Sequence, residues 1–241
     1  MPVKIIIIHG LNNNQEGFFP LAQSLNSLGY ATEILCLPGH GENREEAKSD
    51  DEATRCFDQR MQELIKSPYS VIAFSQGALY LQLWLEKNPS CLPQSQILLA
   101  PALFIRHFEF LNGLMSRLPT FFSILSQMPK KLRRYNQLYV WEYRNLFRKA
   151  KQYQSIDKSM KIPTLILIDP KDEVVDAKRI KQELENRKTG AKIEYFERKY
   201  LRGRRPGKYH ILFNPEYFKP SDWNLLIARM DEFLKDTSSG V

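Results

Sequence analysis

Tyr69-Ser70-Val71-Ile72-Ala73-Phe74-Ser75-Gln76-Gly77-Ala78 runs from a strand into a helix with no linker between them. The first six residues are a short apolar run, which reads as a strand buried on both faces. The residues after Gly77 carry a helical pattern through Glu86. A serine on so sharp a turn is held out from the sheet edge, and its neighbours must be small for the turn to fit. The Gln76 amide then lies at a helix N-terminus, where partial positive charge favours a developing oxyanion. An ordinary helix-capping Ser-Gly turn would look the same locally, so the reading depends on what surrounds it.

Outward from this turn, strands alternate with helices. Residues 3–8 form a β-branched run ending in His9-Gly10-Leu11, and the Leu11 amide is a second candidate oxyanion donor. Phe18, Leu21, Ala22, Leu25 and Leu28 mark a helix closed by Gly29. Ala31–Leu35 is the next strand, followed by the loop Leu37-Pro38-Gly39-His40-Gly41. Ser49 and Glu52 form a capping-box pair ahead of a helix carrying Ala53, Phe57, Met61 and Leu64. Gln96–Leu99, residues 164–169 and residues 192–196 read as further strands. Ala177, Ile180 and Leu184 mark one more helix, and Ser221 is the expected cap of a last one through Trp223, Leu226, Met230 and Phe233. Such alternation calls for a parallel, doubly wound α/β sheet of about six strands. Residues 103–156 show no readable strand and interrupt the pattern after the fourth strand; they are expected to form a helical lid on a core of residues 1–102 and 157–241.

Composition narrows the classes. The 241 residues include 43% hydrophobic and 12% aromatic side chains, which excludes a disordered chain. The longest apolar run, residues 97–105, is broken by Pro101 and falls far short of a spanning helix of about 20 residues. The N-terminal apolar run is too short for a signal-peptide core. Three scattered cysteines without metal-ligand spacing read as buried, reduced thiols of a cytoplasmic protein that uses no metal or cofactor.

The net charge of +8 is unevenly placed. Residues 1–100 carry −4, residues 101–160 carry +8 and residues 197–210 carry +5. Both basic segments are expected to lie beside the sheet edge that carries the Ser75 turn. They are read either as binding an anionic substrate or an anionic membrane surface, in part through Arg202, Arg204 and Arg205, or as a solvated charge run that serves solubility. No nucleic-acid-binding module or aromatic platform accompanies the charge, so nucleic acid is not expected.

Beyond Ser75, an acidic cluster (Asp169, Asp172, Asp176) follows the fifth strand and His210 follows the sixth. Serine, acid and histidine thus come in that order, each after a strand whose C-terminal end lies on one edge of a parallel sheet. On these motifs, together with the His9-Gly10 turn and the Gly39-His40-Gly41 loop, the chain resembles the α/β-hydrolase family. It is most similar to small-lid carboxylesterases of the monoacylglycerol-lipase type. The resemblance covers nearly all of the chain except the lid. It implies Ser75 as nucleophile, His210 as general base and then acid, Asp172 as its orienting carboxylate, and Leu11 and Gln76 as oxyanion-hole amides. Asp169 and Asp176 compete for the acid, and Asp172 matches the family spacing. His9, His40 and His107 read as structural or turn histidines. Two positions depart from the family pattern: Ala73 opens the turn where glycine is usual, and Tyr209 precedes the histidine. Phe74, Phe104 and Phe108 are candidates for contact with an acyl chain, and most lid apolar residues are expected to be packing.

The expected function is hydrolysis of a small-molecule carboxylic ester, acylglycerol-like or of medium chain length, through an acyl-enzyme on Ser75. Two alternatives remain. One is a thioesterase acting on an anionic carrier such as acyl-CoA. The other is a non-catalytic hydrolase-fold protein that uses its basic face to bind a membrane or partner.

Overall fold

The computed structural model describes residues 3–41, 44, 49–156, 162–186, 189–197 and 208–238. Six strands form one parallel sheet: β1 (Lys4–Ile8), β2 (Ala31–Leu35), β3 (Tyr69–Phe74), β4 (Gln96–Leu99), β7 (Thr164–Ile168) and β8 (Lys192–Tyr195), in the order β2-β1-β3-β4-β7-β8. The pairs are in register, with Ile8 opposite Ala73 and Phe74 opposite Leu99. The C-terminal ends of β1, β3 and β4 therefore finish level.

Alternate residues of each strand feed two separate cores, as the two-residue period of a strand requires. Ile6, Ile8, Val71, Ala73, Leu98, Ile166 and Ile168 face one side, where α2 (Asp50–Leu64), α3 (Gln76–Lys87) and α6 (Ala177–Asn186) cover them. Ile5, Ile7, Ile72, Leu99 and Leu167 face the other, beneath α1 (Phe19–Ser27) and α7 (Pro220–Ser238). Double coverage explains why the central strands β1, β3, β4 and β7 are buried and apolar along nearly their whole length, whereas the edge strands β2 and β8 are only partly buried.

The local signals have their structural counterparts. Ser49 and Glu52 make both bonds of the capping box at the start of α2. Gly29, after α1, has a φ of +93°, a conformation glycine adopts without a steric cost. The last helix begins at Pro220, so Ser221 lies in its first turn and does not cap it; proline suits that turn because its missing N–H has no partner there. The three cysteines are half-buried, not buried as expected.

Between β4 and β7 lie α4 (Phe108–Arg117), the strands β5 (Ser123–Leu125) and β6 (Gln137–Tyr139), and α5 (Val140–Ser155). The antiparallel pair β5–β6 corrects the expectation of a wholly helical segment. Each strand has only three residues, too few to show a period of two in sequence. Three cations of this segment do structural work. Arg144 donates to the carbonyls of Met115, Ser116 and Leu118 and so closes the C-terminal end of α4. Lys149 of α5 is buried against α2, bonded to Asp50 at 2.8 Å and Thr54 at 3.0 Å, with its ammonium over the Tyr80 ring. Arg148 adds a looser ion pair to Asp50. Among the described residues, no helix is long and apolar enough to cross a membrane.

Candidate active site

Ser75 occupies the turn between β3 and α3 with φ of 50° and ψ of −116°, a strained conformation for a residue with a side chain. Hydrogen bonds from both sides fix it. Its N–H donates to the Leu99 carbonyl, and its own carbonyl accepts from Ala78 and Ala102. The turn closes because its neighbours are small. A Cβ on Gly77 would come within 2.4 Å of the His9 carbonyl oxygen and 2.8 Å of that of Ile8. Both are backbone atoms of β1 and its turn, which cannot yield without parting β1 from β3. Gly77→Ala is therefore expected to destabilise the fold by about 3 kcal/mol. A denaturant titration checks this, and a loss under 1 kcal/mol would contradict the packing described.

Three side chains meet at the sheet edge. The Ser75 hydroxyl donates to His210 Nε2 at 2.9 Å, and His210 Nδ1–H donates to Asp172 Oδ2 at 2.8 Å. The other Asp172 oxygen accepts from the N–H groups of Val174 and Val175 at 2.7 and 2.9 Å. Burial alone would raise the Asp172 carboxyl. The charge of His210 and the hydrogen bonds from its ring and from those two amides outweigh burial and hold it below the ordinary carboxylate range. The His210 backbone N–H donates to Glu173, tying the histidine loop to the acid loop.

The competing residues stand elsewhere. Asp169 Oδ1 accepts from Lys171 N–H, and Asp176 Oδ1 accepts from Arg179 N–H in the first turn of α6. His9 Nε2 accepts from Leu37 N–H at 3.0 Å while Nδ1 faces the Gly10 carbonyl at 2.9 Å. His40 Nε2 accepts from Asn12 N–H at 2.7 Å. Both histidines brace the loops after β1 and β2. Complete burial, with the neighbouring His40 next in effect, pushes the His9 pKa down to about 3. A group whose folded pKa lies below its unfolded value of about 6.5 stabilises the fold fully above that value and loses the effect as pH falls from 6.5 towards 3. The wild type is expected to lose stability across that window, and His9→Gln to flatten the loss. Melting temperatures between pH 7 and pH 4 measure it, and parallel curves for the two proteins would contradict it.

The two amides expected to face an oxyanion belong to residues beside Ser75. Gln76 opens α3, and the first N–H groups of a helix have no carbonyl within the helix to meet. Leu11 follows Gly10, whose lack of a side chain lets the β1 turn approach. A Cβ there would lie 2.9 Å from Phe74 Cδ1 and 3.0 Å from Ser75 Cβ.

Leu11 and Gln76 also line a small, partly open cleft together with Pro38, His40, Ala53, Tyr80 and three residues of α5 (Trp141, Glu142 and Asn145). The Glu142 carboxylate accepts from Arg44 and from Tyr139 N–H, both at 2.6 Å. Burial raises its carboxyl despite those bonds. The three phenylalanines expected against an acyl chain line no part of this cleft. Phe74 is buried among Phe18, Phe213 and the His210 ring. Phe104 is buried beside Tyr153 and Arg179, and Phe108 is half-buried against Phe147. Sequence reasoning missed the α5 residues. Their signal was Trp141, Glu142 and Asn145 on adjacent turns of one helix, a pattern shared with any amphipathic helix. Arg202, Arg204 and Arg205 lie outside the described residues.

The family model described as serine aminopeptidase, S33, matches residues 3–200. Among solved structures, one of the metagenome-derived lipolytic enzymes LipS and LipT aligns with a TM-score of 0.73 at 18% identity, covering 97% of this chain and 94% of that one. A Paleococcus ferrophilus monoacylglycerol lipase aligns at 0.68 and 19%, covering 93% and 94%. A thioesterase domain from the curacin biosynthetic pathway aligns at 0.59 and 16%, covering 97% and 91%. No curated protein sequence matches.

Proposed function

The chain belongs to the serine aminopeptidase S33 family of α/β-hydrolases, and we propose from that premise that it hydrolyses small carboxylic esters through an acyl-enzyme on Ser75. The observation that carries this reading is the unbroken contact from Ser75 through His210 to Asp172. A neutral hydroxyl is a weak nucleophile, so His210 Nε2 takes the Ser75 proton as the oxygen attacks the ester carbonyl. Asp172 holds Nδ1–H in place and stabilises the imidazolium that results. The Leu11 and Gln76 amides receive the oxyanion, an interaction worth about 10²–10³ in turnover per donor. The tetrahedral intermediate collapses, the C–O bond breaks, and His210 returns the proton to the departing alcohol. Water then attacks the acyl-enzyme, with His210 again accepting a proton, and the acid and free serine are released.

Ester, thioester and amide hydrolysis would all use these residues in the same roles. A panel of para-nitrophenyl esters of increasing chain length, acyl-CoA and aminoacyl arylamides, run with wild type and His210→Ala, separates them. Ester turnover that needs His210 is expected. Thioester or arylamide turnover without ester turnover would overturn the proposal, as would no turnover at all.

We infer in addition that the inserted segment meets an anionic lipid surface. Phe110, Phe121 and Leu125 are 71, 72 and 69% exposed, and Leu114 and Phe122 are exposed near them in sequence. Apolar exposure concentrated in one segment is characteristic of an interaction face. Exposed Arg117 and Lys130 belong to the same segment and supply complementary charge, while Lys131 is paired with Glu216 and Arg134 donates to the Gly41 carbonyl. Co-sedimentation with phosphatidylglycerol vesicles, weakened by salt and by Phe121→Ser with Leu125→Ser, is expected. Equal partitioning to neutral phosphatidylcholine vesicles, or to none, would contradict it.

A further inference from the structure

The cleft beside the oxyanion amides holds two polar side chains whose hydrogen bonding is incomplete. Gln76 is 3% exposed and Asn145 is 6% exposed. Gln76 Oε1 and Asn145 Oδ1 are both buried with no hydrogen-bond partner among the described residues. They come from different elements, one opening α3 immediately after Ser75 and one on α5, and they line the same cleft. An unsatisfied buried acceptor costs about 1–3 kcal/mol, and native structures contain few. Two such acceptors belong to residues that line one cleft.

The remaining polar groups narrow what kind of ligand would meet them. The Glu142 carboxylate already faces the Arg44 guanidinium and Tyr139 N–H, so its charge is matched within the protein. The Asn145 amide nitrogen reaches the Tyr80 hydroxyl only at a long 3.4 Å. What the cleft leaves unmatched is neutral: two side-chain amides, each able to accept and to donate. A cation would find no uncompensated negative charge among the residues lining it, whereas a hydroxyl, itself both donor and acceptor, suits the amides. Leu11 and Trp141 supply apolar wall for a carbon skeleton.

We propose that Gln76 and Asn145 form a hydroxyl-recognition subsite, so that the substrate is an ester bearing a free hydroxyl group within reach of its carbonyl. This inference rests on the reading of Ser75 as nucleophile and adds the chemical class of ester. The hydroxyl is carried either by the leaving alcohol or by the acyl chain, and matched substrates tell the two apart. In the first arm glyceryl monobutyrate is compared with propyl butyrate. In the second, para-nitrophenyl omega-hydroxyhexanoate is compared with the hexanoate.

In one arm the wild type is expected to favour the hydroxylated member in kcat/KM by about 10-fold or more. Asn145→Leu and Gln76→Leu are each expected to bring that ratio close to one, with Gln76→Leu retaining the backbone amide. Circular dichroism and thermal melting show which variants fold, and the wild-type ratio alone decides if neither does. Turnover with no hydroxyl preference in either arm overturns the subsite alone. A preference that survives in both folded variants does the same. Failure of the wild type to hydrolyse any of the four esters overturns the nucleophile reading and this inference together.

Discussion

Replacing Ser75 by alanine is expected to lower ester turnover by about 10⁶-fold, with the fold intact. Comparable serine hydrolases lose about that much when the nucleophile is removed, and the residual acceleration comes from the oxyanion donors and from binding. The change deletes one oxygen. Alanine pays no larger steric penalty than serine for the positive φ at this turn, and the backbone bonds to Leu99, Ala78 and Ala102 are untouched. Its unfolding midpoint should therefore stay near that of the wild type, which separates loss of chemistry from loss of structure. Turnover within 10-fold of wild type would mean that another group performs the attack.

Replacing Asp172 by asparagine is expected to cost about 10⁴-fold in kcat, with KM much less affected. The reason lies in how the carboxylate is held. One oxygen accepts two backbone amides, from Val174 and Val175, and the other accepts from His210 Nδ1. In the variant the side-chain carbonyl must stay on the two amides, which turns the NH₂ group towards His210. Nδ1 then becomes the acceptor and the proton moves to Nε2, where it faces the Ser75 hydroxyl and can no longer receive its proton. The same substitution has a signature in stability. Asp172 is held below its ordinary range, so its contribution is present above the unfolded value of about 3.9 and is lost as pH falls through the lower folded value. The variant should show a shallower loss of stability below pH 4.

Much of this was legible in the sequence because the parallel sheet is buried on both faces and reads as apolar runs. The four central strands stood out for that reason, and the order of Ser75, Asp172 and His210 followed from where the strands end. Geometry was needed to separate Asp172 from Asp169 and Asp176, three carboxylates within eight residues whose backbone partners differ. The inserted segment was read less well. Its three-residue strands are too short to show a period, and exposed Phe121 and buried Phe104 look alike in sequence. The cleft combines side chains from both sides of Ser75 in the chain. No local pattern could place Gln76 with Asn145, since they meet only through the packing of α5 on α3.

Intact-protein and peptide mass spectrometry after exposure to a fluorophosphonate tests the central claim most directly. A single covalent adduct on Ser75, absent from Ser75→Ala and strongly slowed in His210→Ala, is the expected result. An unlabelled wild type, or labelling that persists in Ser75→Ala, would contradict Ser75 as the nucleophile.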